Sequence, residues 1–287
     1  MYYFAITLLL ICSIGLADET EFAVPKSMAL GVHYLSIDAA SIEQSQYDVE
    51  IDQTRIKLPI GKYTLLDNTF VPQIAVEETV FKVASPEIDG RAEMYSIKTP
   101  FMFIEKYDDH WTRILNITPS WHTDLKARDE ESYSLMGLLL WRYGDNASPH
   151  SYTFGVGVNR LFGEYKPVPM IAYSYQTSPY TRYDLGFPVT KVEHRFHQQW
   201  TWFSAIGPMG GNWRYEESIR NTRVNLSYKS WIATLGIRRQ LKDNIWLTFE
   251  LGQSFARSLD FNSDNFASKE ADIDDASMFK LSLGLHP

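Results

Sequence analysis

Cysteine is almost missing from this 287-residue chain: the only one is Cys12. Beyond that position there is no thiolate metal site, no cysteine nucleophile and no disulfide framework. A basic surplus is missing too. The 27 Lys and Arg are outnumbered by 35 Asp and Glu, for a formal net charge of −8. That excludes the positive footprint of a nucleic-acid partner. Long apolar runs are missing after residue 17, where the longest covers residues 136–141, far short of the ~20 residues of a membrane helix. If the mature chain enters a membrane, a closed β-barrel is the remaining way to satisfy its backbone in hydrocarbon. Catalytic signatures are also missing. There is no G-x-S-x-G, and no His is followed two residues later by Ser, the spacing that would put both on one strand face. Gly155-Val156-Gly157 has Arg160 where a dinucleotide fingerprint needs a third glycine. No cofactor or metal is expected. His194 and His197, beside Glu193, lie three apart, which on a strand sends them to opposite faces. The acids of the stretch 260–275 lack EF-hand spacing and read as a solvated loop. Three glycosylation triplets, at Asn116, Asn146 and Asn225, are expected by chance in a chain this long.

Aromatic residues, by contrast, are abundant, at 14%. They favour pleated structure and suit headgroup level at a membrane boundary. Residues 4–16 form an apolar core of signal-peptide length, with Gly15 and Ala17 at the −3 and −1 positions and Asp18 after them. Cleavage after Ala17 is expected, leaving 18–287 as one domain. Ile11 before Cys12 is a poor lipobox residue, so lipidation is the weaker reading.

The remainder alternates with period 2, the signature of strands with one apolar face. Phe279, Leu281, Leu283 and Leu285 share one face; Lys280, Ser282 and Gly284 share the other. Ile245, Leu247, Phe249 and Leu251 oppose Trp246, Thr248, Glu250 and Gly252. Fourteen strands are read, near 27–37, 46–58, 68–83, 91–106, 111–124, 132–143, 151–162, 167–176, 180–187, 190–197, 200–217, 229–240, 244–256 and 276–286; twelve remain an alternative where Pro188 interrupts the pattern. Long polar connections (39–45, 85–90, 126–131, 217–228, 259–276) alternate with short ones (107–110, 177–179, 241–243), as in outer-membrane barrels. The alternation slips near Gln53 and near Glu77 and Glu78, which predicts bulges there. Trp111, Trp121, Trp141, Trp231 and Trp246 stand near strand ends, where a barrel carries its aromatic girdles. The expected fold is all-β: a single antiparallel transmembrane barrel of about fourteen strands. A soluble sandwich has the same alternation with the opposite sense, apolar side inward.

Three groups of residues carry a family likeness. They are the stretch 169–188, with Tyr183-Asp184-Leu185-Gly186-Phe187-Pro188; then Gly210-Gly211-Asn212-Trp213-Arg214; then Glu250-Leu251-Gly252-Gln253-Ser254-Phe255-Ala256-Arg257. Together they make the chain resemble a bacterial family of outer-membrane β-barrel proteins known as a domain of unknown function. The resemblance implies a barrel in the outer membrane and carries over no activity and no site residues. Outer-membrane lipid, lipopolysaccharide and the barrel-assembly machinery are then the expected partners. The ending Leu285-His286-Pro287 departs from the terminal aromatic that such machinery reads.

On the barrel reading, Arg238, Glu250 and Lys280 fall on the polar face of three successive strands, and Arg182, Asp184 and Asn159 join them as a lumen charge cluster. Such a cluster either biases the passage of small solutes or fills the interior with ion pairs. Four functions stay open: a passive small-solute channel, a closed structural or interaction barrel, a soluble sandwich or lipocalin-like binder, and, trailing, an outer-membrane hydrolase.

Overall fold

The computed structural model describes residues 30–65, 68–84, 89–144, 148–159, 165–217, 222–242, 244–263 and 266–285. The expected signal peptide and its cleavage after Ala17, the triplet at Asn146 and the terminal His286-Pro287 lie outside them. Strands β1 (Leu30–Ser41), β2 (Asp48–Pro59), β3 (Tyr63–Leu65), β4 (Asn68–Ala84), β5 (Asp89–Lys98), β6 (Phe101–Lys106), β7 (Trp111–Thr123), β8 (Tyr133–Tyr143) and β9 (His150–Asn159) make up the first half. The second half contains β10 (Lys166–Ser178), β11 (Thr181–Phe187), β12 (Thr190–His197), β13 (Trp200–Glu217), β14 (Thr222–Lys242), β15 (Ile245–Ser263), β16 (Phe266–Ile273) and β17 (Ala276–Leu285). Three pairs of segments share one neighbour and act as single staves: β2 with β3 along β4, β5 with β6 along β4 and β7, and β16 with β17 along β15. The result is a ring of fourteen antiparallel staves, closed where β1 meets β17 with Leu30 opposite Leu285. Closure leaves no ring edge to seek a partner.

The sense of the alternation is settled by exposure. Leu281 is 45% exposed and Leu283 48%, while Met278 and Ser282, on the other face of β17, are each 3% exposed. On β15 the outward face reads Ile245, Leu247, Phe249, Leu251 and Phe255, interrupted by Gln253. Ten steps of about 3.3 Å, at the tilt of about 40° usual in such barrels, give a band of about 25 Å, the height of a hydrocarbon layer. The chain is a transmembrane β-barrel.

Above this band the faces exchange roles. On β2, Ile56 and Leu58 point outward, but higher up Val49 and Ile51 are fully buried inside while Glu50 and Asp52 point out. On β4, Val76 points outward, but higher up Phe81 is buried inside and Lys82 points out to Glu50 and Asp52, at 2.6 Å each. The β2–β4 register runs unbroken from Asp48 opposite Ala84 to Pro59 opposite Gln73, so no bulge exists at Gln53 or at Glu77 and Glu78. The slip in the pattern is instead the level at which the wall leaves lipid: below it apolar side chains face hydrocarbon, above it they face each other. Bulges do occur, between Ile37 and Ala40 on β1 and at Ala256 on β15, where φ is +48°.

The upper interior is therefore a packed core. Leu35, Ile37, Ile51, Phe81, Trp213 and Tyr228 are at its centre, with Phe81 edge-on to both Trp213 and Tyr228 at 5.6 and 6.1 Å between ring centroids. Two stretches expected as long loops contribute to it. The described residues of 217–228 and 259–276 are mostly strand, because Val224, Leu226, Tyr228 and Leu259 alternate into this core. The Ala256 bulge shifts the alternation by one residue, which hid the continuation of β15.

β11 and β12 are short, and the last β12–β13 pair is Thr190 with Ile206. Above that level β13 has lost one neighbour. It bends inward at Gly210, whose φ of +155° only glycine adopts without strain, and Arg214 forms a parallel bridge to Thr123 of β7. The upper barrel is thus closed a second time, as nine staves from β13 round to β7, around the apolar core.

Candidate functional site

The lower interior is polar, and register fixes which side chains face it. Lys280 is directly opposite Glu250, and their side chains meet at 2.8 Å. Arg182 and Asp184, two apart on β11, meet at 2.8 Å, and Ser174 donates to the same carboxylate at 2.6 Å. Arg238 shares the inner face with Glu250 and Lys280 but is not paired with Glu250. Gly236 is the residue opposite Glu250, which leaves Arg238 two positions lower, opposite Thr201 on β13 and Thr248 on β15. Its partner is Glu193 on β12, at 3.3 Å, and Lys191 reaches the same oxygen at 2.5 Å. Arg238 and Lys191 also lie over the Phe203 ring, at 5.2 and 5.0 Å. Asn159 is at the top of β9 opposite Lys166, whereas Arg182 is level with Gln176 ten residues further along β10, so Asn159 does not join the cluster.

Sequence reasoning missed Glu193 and Lys191, which fell in the stretch left ambiguous around Pro188. It also missed a second centre. Glu77, 2% exposed, takes Arg55 at 2.5 Å and Lys98 at 3.4 Å. Parity counted down β4 from Glu77 to Ala75 places both inside, a signal masked by the supposed bulge. Beside them, Ser96 Oγ and His122 Nδ1 are 2.8 Å apart, and Trp213 Nε1 donates to Ser96 at 3.0 Å from the inward-bent part of β13. A cavity of about 40 Å³ lies among Glu77, Lys98, His122, Ser134 and Asn212, with room for a few waters.

Arg238 Nε, Thr201 Oγ1 and Thr248 Oγ1 are among the buried polar atoms of the lower interior that have no hydrogen-bond partner. They stand in one cross-strand row. Trp246, expected in an aromatic girdle, is buried on the inner face beneath Arg195 at 5.9 Å. The girdle itself runs outside along the short-turn rim. Trp111 packs on Tyr143 and Phe154, and His150 stacks on Tyr175 at 4.7 Å. On the opposite rim Trp121 stacks on Tyr133. His194 points outward to Thr181 at 2.8 Å, and no group of three metal-ligating side chains occurs among the described residues.

The closed ring, the apolar outer band and the charged interior define a transmembrane β-barrel. The chain belongs to the family of the domain of unknown function DUF6268, whose model matches residues 90–285. No curated protein matches it significantly. Among solved structures it is similar to a NanC porin, with 9% identity over 90% of this chain and 100% of that one and a TM-score of 0.39. The Pseudomonas putida toluene transporter TodX gives 8% identity, 91% and 89% coverage and a TM-score of 0.37. The β domain of the Bordetella autotransporter BrkA gives 12%, 91%, 99% and 0.32.

Proposed function

We propose that this protein is an outer-membrane channel for small solutes, and that its passage runs through the sector of the ring between β7 and β13. The supporting observation is the uneven filling of the interior. Toward β1, β2 and β4 the upper barrel is plugged by its own core. Toward β9, β10 and β11 the inward positions hold small residues, among them Thr153, Gly155, Gly157, Ala172 and Gly186. Small side chains on an inner wall leave volume that water can fill. Single-channel recording in planar bilayers tests this. Discrete conductance steps are expected, and Ala172→Trp should reduce them severalfold. Protein that shows heat-modifiable gel migration but no steps would contradict the channel.

The plug and the β7–β13 bridge favour one alternative, a closed barrel that displays its loop-end hairpins to a partner. Silent bilayers with a folded protein are what that alternative predicts.

A further inference from the structure

The acid in this chain is on its outside and the base within. Between the plug and the short-turn rim, four described acids face the interior: Glu77, Asp184, Glu193 and Glu250. The bases ion-paired with them are Arg55, Lys98, Arg182, Lys191, Arg238 and Lys280. Three further bases face the same space. Lys57 is opposite Gly31 and Ala75, and the charge within its reach is another cation, Arg55. Arg142 is opposite Thr112 and Thr153, within reach of Arg182 as well as Asp184. Arg195 lies over Trp246, within reach of both Arg238 and Glu193. At least nine bases against four acids leave an interior surplus of at least five positive charges among the described residues, in a chain whose overall charge is −8. Low-dielectric walls focus such a field along the axis of a cleft.

We infer that the interior chamber selects anions, and that its solutes are small carboxylates, sulfates or phosphates. The row Thr201, Arg238 and Thr248 adds an independent observation. Each residue is at least nine-tenths buried, and each carries a polar atom with no partner. Buried donors without acceptors are uncommon, and these lie within the positively charged lower interior. Arg238 keeps Glu193 as its one carboxylate.

The inference rests on the reading of the chamber as open to solvent, and one experiment separates the two. Cys12→Ser removes the only native thiol. Thr153→Cys then places a single thiol on the inner wall beside Arg142. Its rates with a sulfonate-bearing and a trimethylammonium-bearing methanethiosulfonate are measured in lipid vesicles and normalised to a free thiol. The anionic reagent should win by about tenfold, and Arg142→Gln with Arg182→Gln should shrink that ratio severalfold. Equal rates, or a faster cationic reagent, would overturn anion selectivity and leave the channel standing. A thiol that neither reagent reaches would overturn both.

Discussion

Arg214 and Thr123 are 91 positions apart in the chain, yet their backbones pair in parallel across the inside of the barrel. The link is held by charge. Arg214 meets Asp129 at 3.0 Å and Glu131 at 2.7 Å from the connection that follows β7, and the Glu216 backbone N–H donates to Asp124 at 3.0 Å. The Arg214 side chain is buried while its two acids are partly exposed, so solvent screens part of the attraction.

Arg214→Ala should therefore cost about 1–3 kcal/mol, below the range for a fully buried pair. Urea unfolding in lipid vesicles reads this as a lower midpoint at unchanged slope. Arg214→Lys should recover part of the loss.

Gly210→Val should do more damage than its exposure suggests. A Cβ there would be 2.1 Å from the Tyr228 carbonyl oxygen, and the backbone conformation excludes a branched side chain. Next to it, a Cβ on Gly211 would collide with the Trp213 ring. The expected loss is about 2–4 kcal/mol, seen as a lower temperature for the gel-migration shift.

Glu250→Gln frees Lys280 without changing shape. Reversal potentials in asymmetric salt should move toward the anion side, with the barrel still folded. An unchanged potential would remove Glu250 from the permeation path.

The turn after β6 gives a pH prediction. The Asp108 carboxylate accepts the backbone N–H groups of His110 and Trp111 at 2.8 and 2.7 Å, which holds it below the usual carboxylate range. The turn's contribution is then complete above the ordinary carboxylate pKa and disappears as pH falls through the lowered folded value. Wild type and Asp108→Asn should differ in stability at neutral pH and converge in acid.

The fourteen staves were legible because lipid imposes a strict alternation, and Phe279 through Leu285 repeat it without error. The upper barrel was not, since the same alternation continues there with its faces exchanged: Ile56 looks out and Ile51 looks in along one unbroken strand. A one-dimensional pattern records that exchange as a slip. Of the charged site, Arg182 with Asp184, two apart on one strand, could be found by parity, and parity also put Glu250 and Lys280 on the inner face. Arg238 with Glu193 could not, because the pairing depends on how β12 aligns with β13 and β14, and alignment between strands is not written in either strand alone.

The most direct test places one spin label at position 281 and, separately, at 280, each through a cysteine variant on a Cys12→Ser background in lipid vesicles. Residue 281 should be accessible to oxygen and shielded from a water-soluble nickel chelate, and residue 280 the reverse. The opposite pattern would mean that the leucines of β17 converge on a dry interior, which would contradict a lipid-facing barrel.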